Sequence, residues 1–116
     1  MAKILNFTSL FLYCLFIYWL SDQTTLPVPD LFSLQDKVLH AGAYFIMGVL
    51  AWRSFKQLGY RPIILALLSI TFCSLYGISD EWHQSFVEGR VSDITDWIAD
   101  TSGAALAAFL LYRLQW

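Results

Sequence analysis

The chain has 116 residues, 58% of them hydrophobic and only 14% charged, with a net charge of −2 and a mean hydropathy of +0.56. A soluble domain of this size covers its surface with about a quarter charged residues, so the composition argues against water as the solvent. The small negative charge excludes a nucleic-acid partner and leaves the lipid bilayer as the expected surrounding.

Ile4 to Leu20 is the first apolar run, broken only by Asn6, Thr8 and Ser9. It resembles a secretory signal in position, but Ser21-Asp22-Gln23 offers no small-x-small cleavage site, so it is expected to be a retained helix. The loop that follows, Ser21 to Lys37, carries Pro27 and Pro29, which oppose helix, together with Leu26, Val28, Leu31, Phe32 and Leu34. That mixture predicts a segment lying along a membrane interface. The second run is Val38 to Phe55. The third starts at Ile63 behind Pro62, a residue suited to a first helical position, and is expected to continue to Gln84. The fourth covers about 93–114. Each run is long enough, at 1.5 Å per residue, to cross a hydrocarbon core of about 30 Å. The expectation is an all-α, integral membrane four-helix bundle in which residues 1–116 form a single domain.

Orientation follows from the basic residues. With four spans, Lys3, Arg53, Lys56, Arg61 and Arg113 share one side, and Lys37 and Arg90 lie opposite. The positive-inside rule then predicts both termini in the cytoplasm. All nine acids fall in the two outer loops or the helix turns beside them. Cys14 and Cys73 sit in the middle of apolar runs and read as packing residues.

Three polar stripes begin on the outer side. Asp36, His40 and Tyr44 are spaced four apart and continue to Gly48; Gly77, Glu81 and Gln84 share a face; so do Asp93, Asp96 and Asp100. Arg90 stands just before the fourth helix, beside Gly89. Ionisable groups avoid lipid, so the stripes are expected to face inward and meet. Carboxylates with one imidazole suit a hard divalent cation such as Mg²⁺, Mn²⁺ or Ca²⁺, with ligands from Asp36, Asp93, His40, Glu81 and Asp96. Lys37 and Arg90, with Tyr44 and Gln84, suit an anionic ligand. His40, Glu81 and Asp96 are the candidates for proton transfer or water activation.

The competing expectation is a structural network in which Arg90 pairs with Asp93 or Asp96 and His40 with Glu81, fixing helix register without chemistry. His83 is assigned to the interface, and Asp80 and Glu88 to the solvated rim. The pair Gly103 and Ala107 favours close helix contact, more readily within one chain than between two; a monomer or a small homo-oligomer is expected. The lower halves of the spans carry too few polar groups for a pore.

Asp36-Lys37-Val38-Leu39-His40, followed by Tyr44, resembles the opening motif of the VanZ-like family. Gly77-x-x-x-Glu81-x-x-Gln84-x-Phe86-x-x-x-Arg90-x-x-Asp93-x-x-Asp96, with Gly103 downstream, resembles its second motif. The likeness runs from residue 36 to about 110. Asp100 departs from it, because the family commonly has Asn there. The family is named for a protein associated with low-level teicoplanin resistance, so the resemblance implies a bacterial cytoplasmic-membrane protein linked to the cell envelope. It implies no reaction. An anionic, lipid-linked phosphate of the envelope is the expected ligand class.

Overall fold

The computed structural model describes residues 1–23, 29 and 31–116. Four helices follow in chain order: α1 Ala2–Ser21, α2 Gln35–Lys56, α3 Pro62–Gln84 and α4 Ile94–Arg113. All four are long and apolar enough to cross a membrane, and no strand occurs among the described residues. The long dimension of the molecule, 43 Å, matches a bilayer with its head-group layers. Side chains such as Phe11, Leu15, Ile46, Leu67, Leu75 and Phe109 stand exposed along the helices, as lipid-facing residues should.

The helix ends carry their own signals. Pro62 opens α3 behind an extended Arg61, where its missing N–H costs no intrahelical bond. Asp93 caps α4, accepting a hydrogen bond from the Thr95 N–H at 2.9 Å. Gly59 and Gly89 turn the α2–α3 and α3–α4 connections with φ of +83° and +81°, a region that favours glycine.

Contacts at the ends fix the direction of each helix. The C-terminal residue of α1, Ser21, bonds to His83 near the C-terminus of α3, while Lys37 at the start of α2 meets Asp93 and Asp96 at the start of α4. The bundle therefore runs up-down-up-down. One end gathers the acids, and the other carries Lys3, Arg53, Lys56, Arg61, Arg113 and both termini. We call these the acidic end and the basic end.

Packing is tightest between α2 and α4, and small residues make it possible. A Cβ on Gly48 would stand 3.1 Å from the Ala107 Cβ, and one on Gly103 would stand 2.0 Å from the Ala41 carbonyl oxygen. The Gly103–Ala107 pair thus closes a helix contact inside one chain. In lipid this close approach supplies the dispersion contact that apolar exclusion from water supplies elsewhere. Below it, Tyr44, Met47, Ala51, Cys73 and Ala104 form a core with Leu10 and Ile17 of α1. Cys14 and Cys73 are both free, as their apolar settings predict.

Helix α1 leans on α2 and α3 and does not reach α4. Hydrogen bonds to backbone carbonyls dock its length. Tyr13 donates to Ala43 O at 2.6 Å, Ser54 donates to Asn6 O at 3.1 Å, and Tyr76 donates to Cys14 O. Leu31, Phe32 and Leu34 are exposed beside the start of α2, while residues 24–28 and 30 of the expected interfacial segment lie outside the described residues.

Candidate functional site

The acidic end holds two adjoining compartments that share His40. The first lies between α2, α3 and α4. The Lys37 ammonium donates to Asp96 Oδ1 at 2.6 Å, Asp36 Oδ2 at 3.1 Å and Asp93 Oδ2 at 3.3 Å. Asp96 is buried, whereas Asp36 is half exposed, so the lysine bridges the rim to the interior. Beneath it, His40 Nδ1 lies 2.7 Å from Asp100 Oδ1, and its Nε2 lies 3.8 Å from both Asp36 Oδ1 and Asp96 Oδ2. Glu81 enters from α3, where its Oε2 accepts the Asp93 backbone N–H at 3.0 Å. Asp93 thus has two tasks: its backbone orients Glu81, and its side chain caps α4. The Thr95 N–H, reinforced by Lys37, holds the Asp93 carboxyl below the usual range.

Two oxygens stand apart in this compartment. Glu81 Oε1 and Asp100 Oδ2 are buried and have no hydrogen-bond partner among the described residues. Buried polar atoms without partners are rare and call for an explanation. Two groups of side chains have cation-ligating geometry: Asp36 with His40 and Asp96, and His40 with Glu81 and Asp100.

The second compartment is a cavity of about 80 Å³ between α1, α2 and α3. Its apolar wall comes from Ile17, Leu20, Leu39 and Ala43, and its polar wall from His40, Tyr44, Asp80, Gln84 and Arg90. Tyr44 donates to Asp80 Oδ2 at 3.1 Å, deep in the bundle. Arg90 donates from Nη1 to Leu20 O and Gln23 O, each at 3.0 Å, which ties the end of α1 to the connection before α4. Among the described residues, Arg90 pairs with no carboxylate.

Of the residues singled out from the sequence, Asp36, Lys37, His40, Glu81, Asp93 and Asp96 come together, with Tyr44 a turn deeper. Gln84 and Arg90 belong to the neighbouring cavity. Several expected pairings change. Lys37, not Arg90, takes Asp93 and Asp96, because the cation on α2 faces α4 directly while Arg90 turns toward α1. His40 takes Asp100 in place of Glu81. Asp80 is not a rim charge: it is 6% exposed, covered by α1 through Ser21 and bonded to Tyr44. Its position three residues after Gly77 is the signal, since the buried stripe of a helix is wide enough to take both i+3 and i+4. Glu88 is exposed, as expected. His83 stacks on Tyr18 with ring centroids 4.4 Å apart and bonds to Ser21 and Asp22, a docking role at the edge of the bundle.

Four membrane-crossing helices around a buried cluster of ionisable side chains define a small multi-pass membrane protein with one polar end. The VanZ/LLP1 family matches residues 1–115, essentially the whole chain, and the protein belongs to that family. No curated protein and no solved structure matches it.

Proposed function

We propose that the protein binds an anionic, lipid-linked component of the bacterial cell envelope through the cavity between α1, α2 and α3. The observation that carries this reading is Arg90, a permanent cation that lines the cavity with no carboxylate partner among the described residues. Two backbone carbonyls hold one arm of its guanidinium, and the planar group suits bidentate recognition of phosphate. The opposite wall is apolar, which matches a ligand with a charged head and a hydrocarbon tail. Gln84 and His40 supply further polar contacts. Lys37 drops out as an anion ligand because three carboxylates already surround it.

The excess of Lys and Arg at the basic end supports a cytoplasmic location for both termini, in a bacterial cytoplasmic membrane, with the cavity facing outward. The family's link to teicoplanin makes tolerance of that glycopeptide the cellular readout of the same proposal.

Binding of a polyprenyl phosphate to the purified protein in detergent tests the reading, with the uncharged polyprenol and inorganic phosphate as comparators. The phosphate lipid is expected to bind at least tenfold more tightly than the alcohol, and R90A to lose that margin. Equal affinity for alcohol and phosphate overturns the proposal.

One observation favours a second reading, in which the network only fixes helix register: the clasp of Lys37 by Asp36, Asp93 and Asp96 is itself a complete structural unit. If H40A, E81A and R90A each abolish accumulation in the membrane, the second reading holds. If they accumulate and fold but lose ligand or phenotype, the first does.

A further inference from the structure

We infer that His40, Glu81 and Asp100 form a binding site for one divalent cation of the Mn²⁺ type between α2, α3 and α4. The inference does not rest on the head-group reading, because it concerns the other compartment and a different ligand.

The geometry comes first. Each of the three residues offers a ligand atom, and these atoms lie within 4.8 Å of one another. Ligands at about 2.1–2.4 Å from a metal stand roughly 3 Å apart when adjacent and up to about 4.8 Å when opposite. The set therefore needs only small side-chain adjustments to close on an ion.

The second observation is independent of that spacing. Glu81 Oε1 and Asp100 Oδ2 lack partners among the described residues, in side chains whose residues are only 7% and 0% exposed. Their other oxygens are held, Glu81 Oε2 by the Asp93 N–H and, in the metal-free protein, Asp100 Oδ1 by the His40 Nδ1–H. The bonded oxygens fix both carboxylates and leave one buried oxygen of each without a partner. Such anchoring by neighbouring groups is what orients ligands in metal sites. A cation held by these residues compensates their buried carboxylates, whereas a solvent-free pocket leaves the desolvation uncompensated.

The imidazole fits the same scheme. In the metal-free protein Nδ1 donates its proton to Asp100 Oδ1 at 2.7 Å; a divalent cation takes the place of that proton, which is released, while Nε2, 3.8 Å from the carboxylates of Asp36 and Asp96, keeps its hydrogen. One nitrogen with two carboxylates suits Mn²⁺ better than Mg²⁺, which prefers oxygen alone and keeps its water. Three protein ligands leave coordination places for water or a substrate oxygen. An opening of about 350 Å³ lined by Ile78, Glu81, Ser92, Ile94 and Trp97 gives an ion access to Glu81.

The alternative group, Asp36 with His40 and Asp96, is disfavoured by charge. The Lys37 ammonium sits 3.1 Å and 2.6 Å from those two carboxylates and already offsets part of their charge. A second cation there would meet the first.

The test uses the full chain in detergent, treated with a chelator and then titrated with Mn²⁺ in the absence of any phosphate lipid. Loss of the free-ion electron paramagnetic resonance signal reports binding. Wild type is expected to take up one Mn²⁺ per chain with sub-millimolar affinity, and D100N and E81Q each to weaken it at least tenfold. E88Q, at an exposed acid of the same end, controls for nonspecific attraction and should stay within twofold of wild type. Helical content and elution volume establish that each variant is folded; should D100N fail there, wild type and E81Q decide the matter. Absence of saturable uptake by wild type overturns the assignment, and so does a larger loss in D36N than in E81Q and D100N.

Discussion

His40 Nδ1 and Asp100 Oδ1 approach to 2.7 Å across the α2–α4 interface, and this contact joins two helices at the depth where the polar stripes end. Asp100 is fully buried, and its second oxygen has no partner among the described residues. Removing the imidazole leaves a carboxylate with neither oxygen satisfied, a change that costs about 3–5 kcal/mol for a buried pair. Replacing the carboxylate by an amide keeps an acceptor for the imidazole and removes the isolated charge. H40A is therefore expected to lower the unfolding temperature in detergent sharply, D100N to leave the metal-free protein unchanged or more stable, and H40A/D100N to recover most of the loss. Stability and Mn²⁺ affinity should thus move in different directions in D100N. A destabilised D100N with a tolerated H40A would contradict this account of the pair.

Much of the architecture is legible from hydropathy alone, because a span must satisfy its backbone internally and hide its charges. The expected helix limits lie within three residues of those in the structure; the largest difference is at the start of α2, Gln35 against an expected Val38. That difference has a physical origin: polar Gln35, Asp36 and Lys37 are excluded from an apolar run yet form the first turn of the helix. The stripes containing His40, Glu81 and Asp96 converge as amphipathic spacing requires. What spacing does not encode is the rotation of one helix against the next. Whether Lys37 or Arg90 takes Asp96 depends on which face of α2 meets α4, set by the Gly103–Ala41 contact, and on where α1 docks, set by hydroxyl bonds to carbonyls. Spacing alone does not show that α1 covers Asp80, and so the sequence reads it as a rim charge.

The Lys37 clasp should be cooperative. Its ammonium bonds to buried Asp96 and to half-exposed Asp36 and Asp93. K37M leaves Asp96 as a buried carboxylate without its 2.6 Å partner, and the cost is expected at about 1–3 kcal/mol, below that of a fully buried pair because the lysine side chain is one-third exposed. D96N alone should cost less, since an amide still accepts from the ammonium. In a double-mutant cycle, K37M/D96N is expected to be more stable than K37M, with a coupling of about 1 kcal/mol or more. Strict additivity would show that the contact contributes nothing.

Gly103 admits no side chain. A Cβ there would lie 2.0 Å from the oxygen, 2.8 Å from the carbon and 3.0 Å from the Cα of Ala41, all backbone atoms that no rotamer change can move. G103A must push α4 away from α2, and overpacking of this kind costs about 1–3 kcal/mol or more. Gly42, one residue along from Ala41, has nothing within 4 Å of its hypothetical Cβ. G42A is expected to be neutral or mildly stabilising through helix propensity. Comparing the two variants by detergent-solubilised yield and unfolding temperature separates a steric effect from a general intolerance of alanine in this bundle.

Asp93 makes a pH-dependent contribution that can be separated from its capping role. Its carboxyl accepts the Thr95 N–H and lies beside Lys37, and both hold its ionisation below the usual range in the folded protein. A carboxyl whose folded value is depressed stabilises the protein above the unfolded value, near pH 4, and that contribution fades as pH falls through the folded value. D93N retains a good capping oxygen but loses the charge, whereas D93A loses both. Wild type is expected to unfold at a higher temperature than D93N at pH 7, with the gap narrowing below about pH 4. D93A should stay below D93N across the whole range. The difference between variants, not the absolute unfolding temperature, is the quantity to follow. A D93N deficit that stays constant down to pH 3 would locate the effect in shape and not in charge.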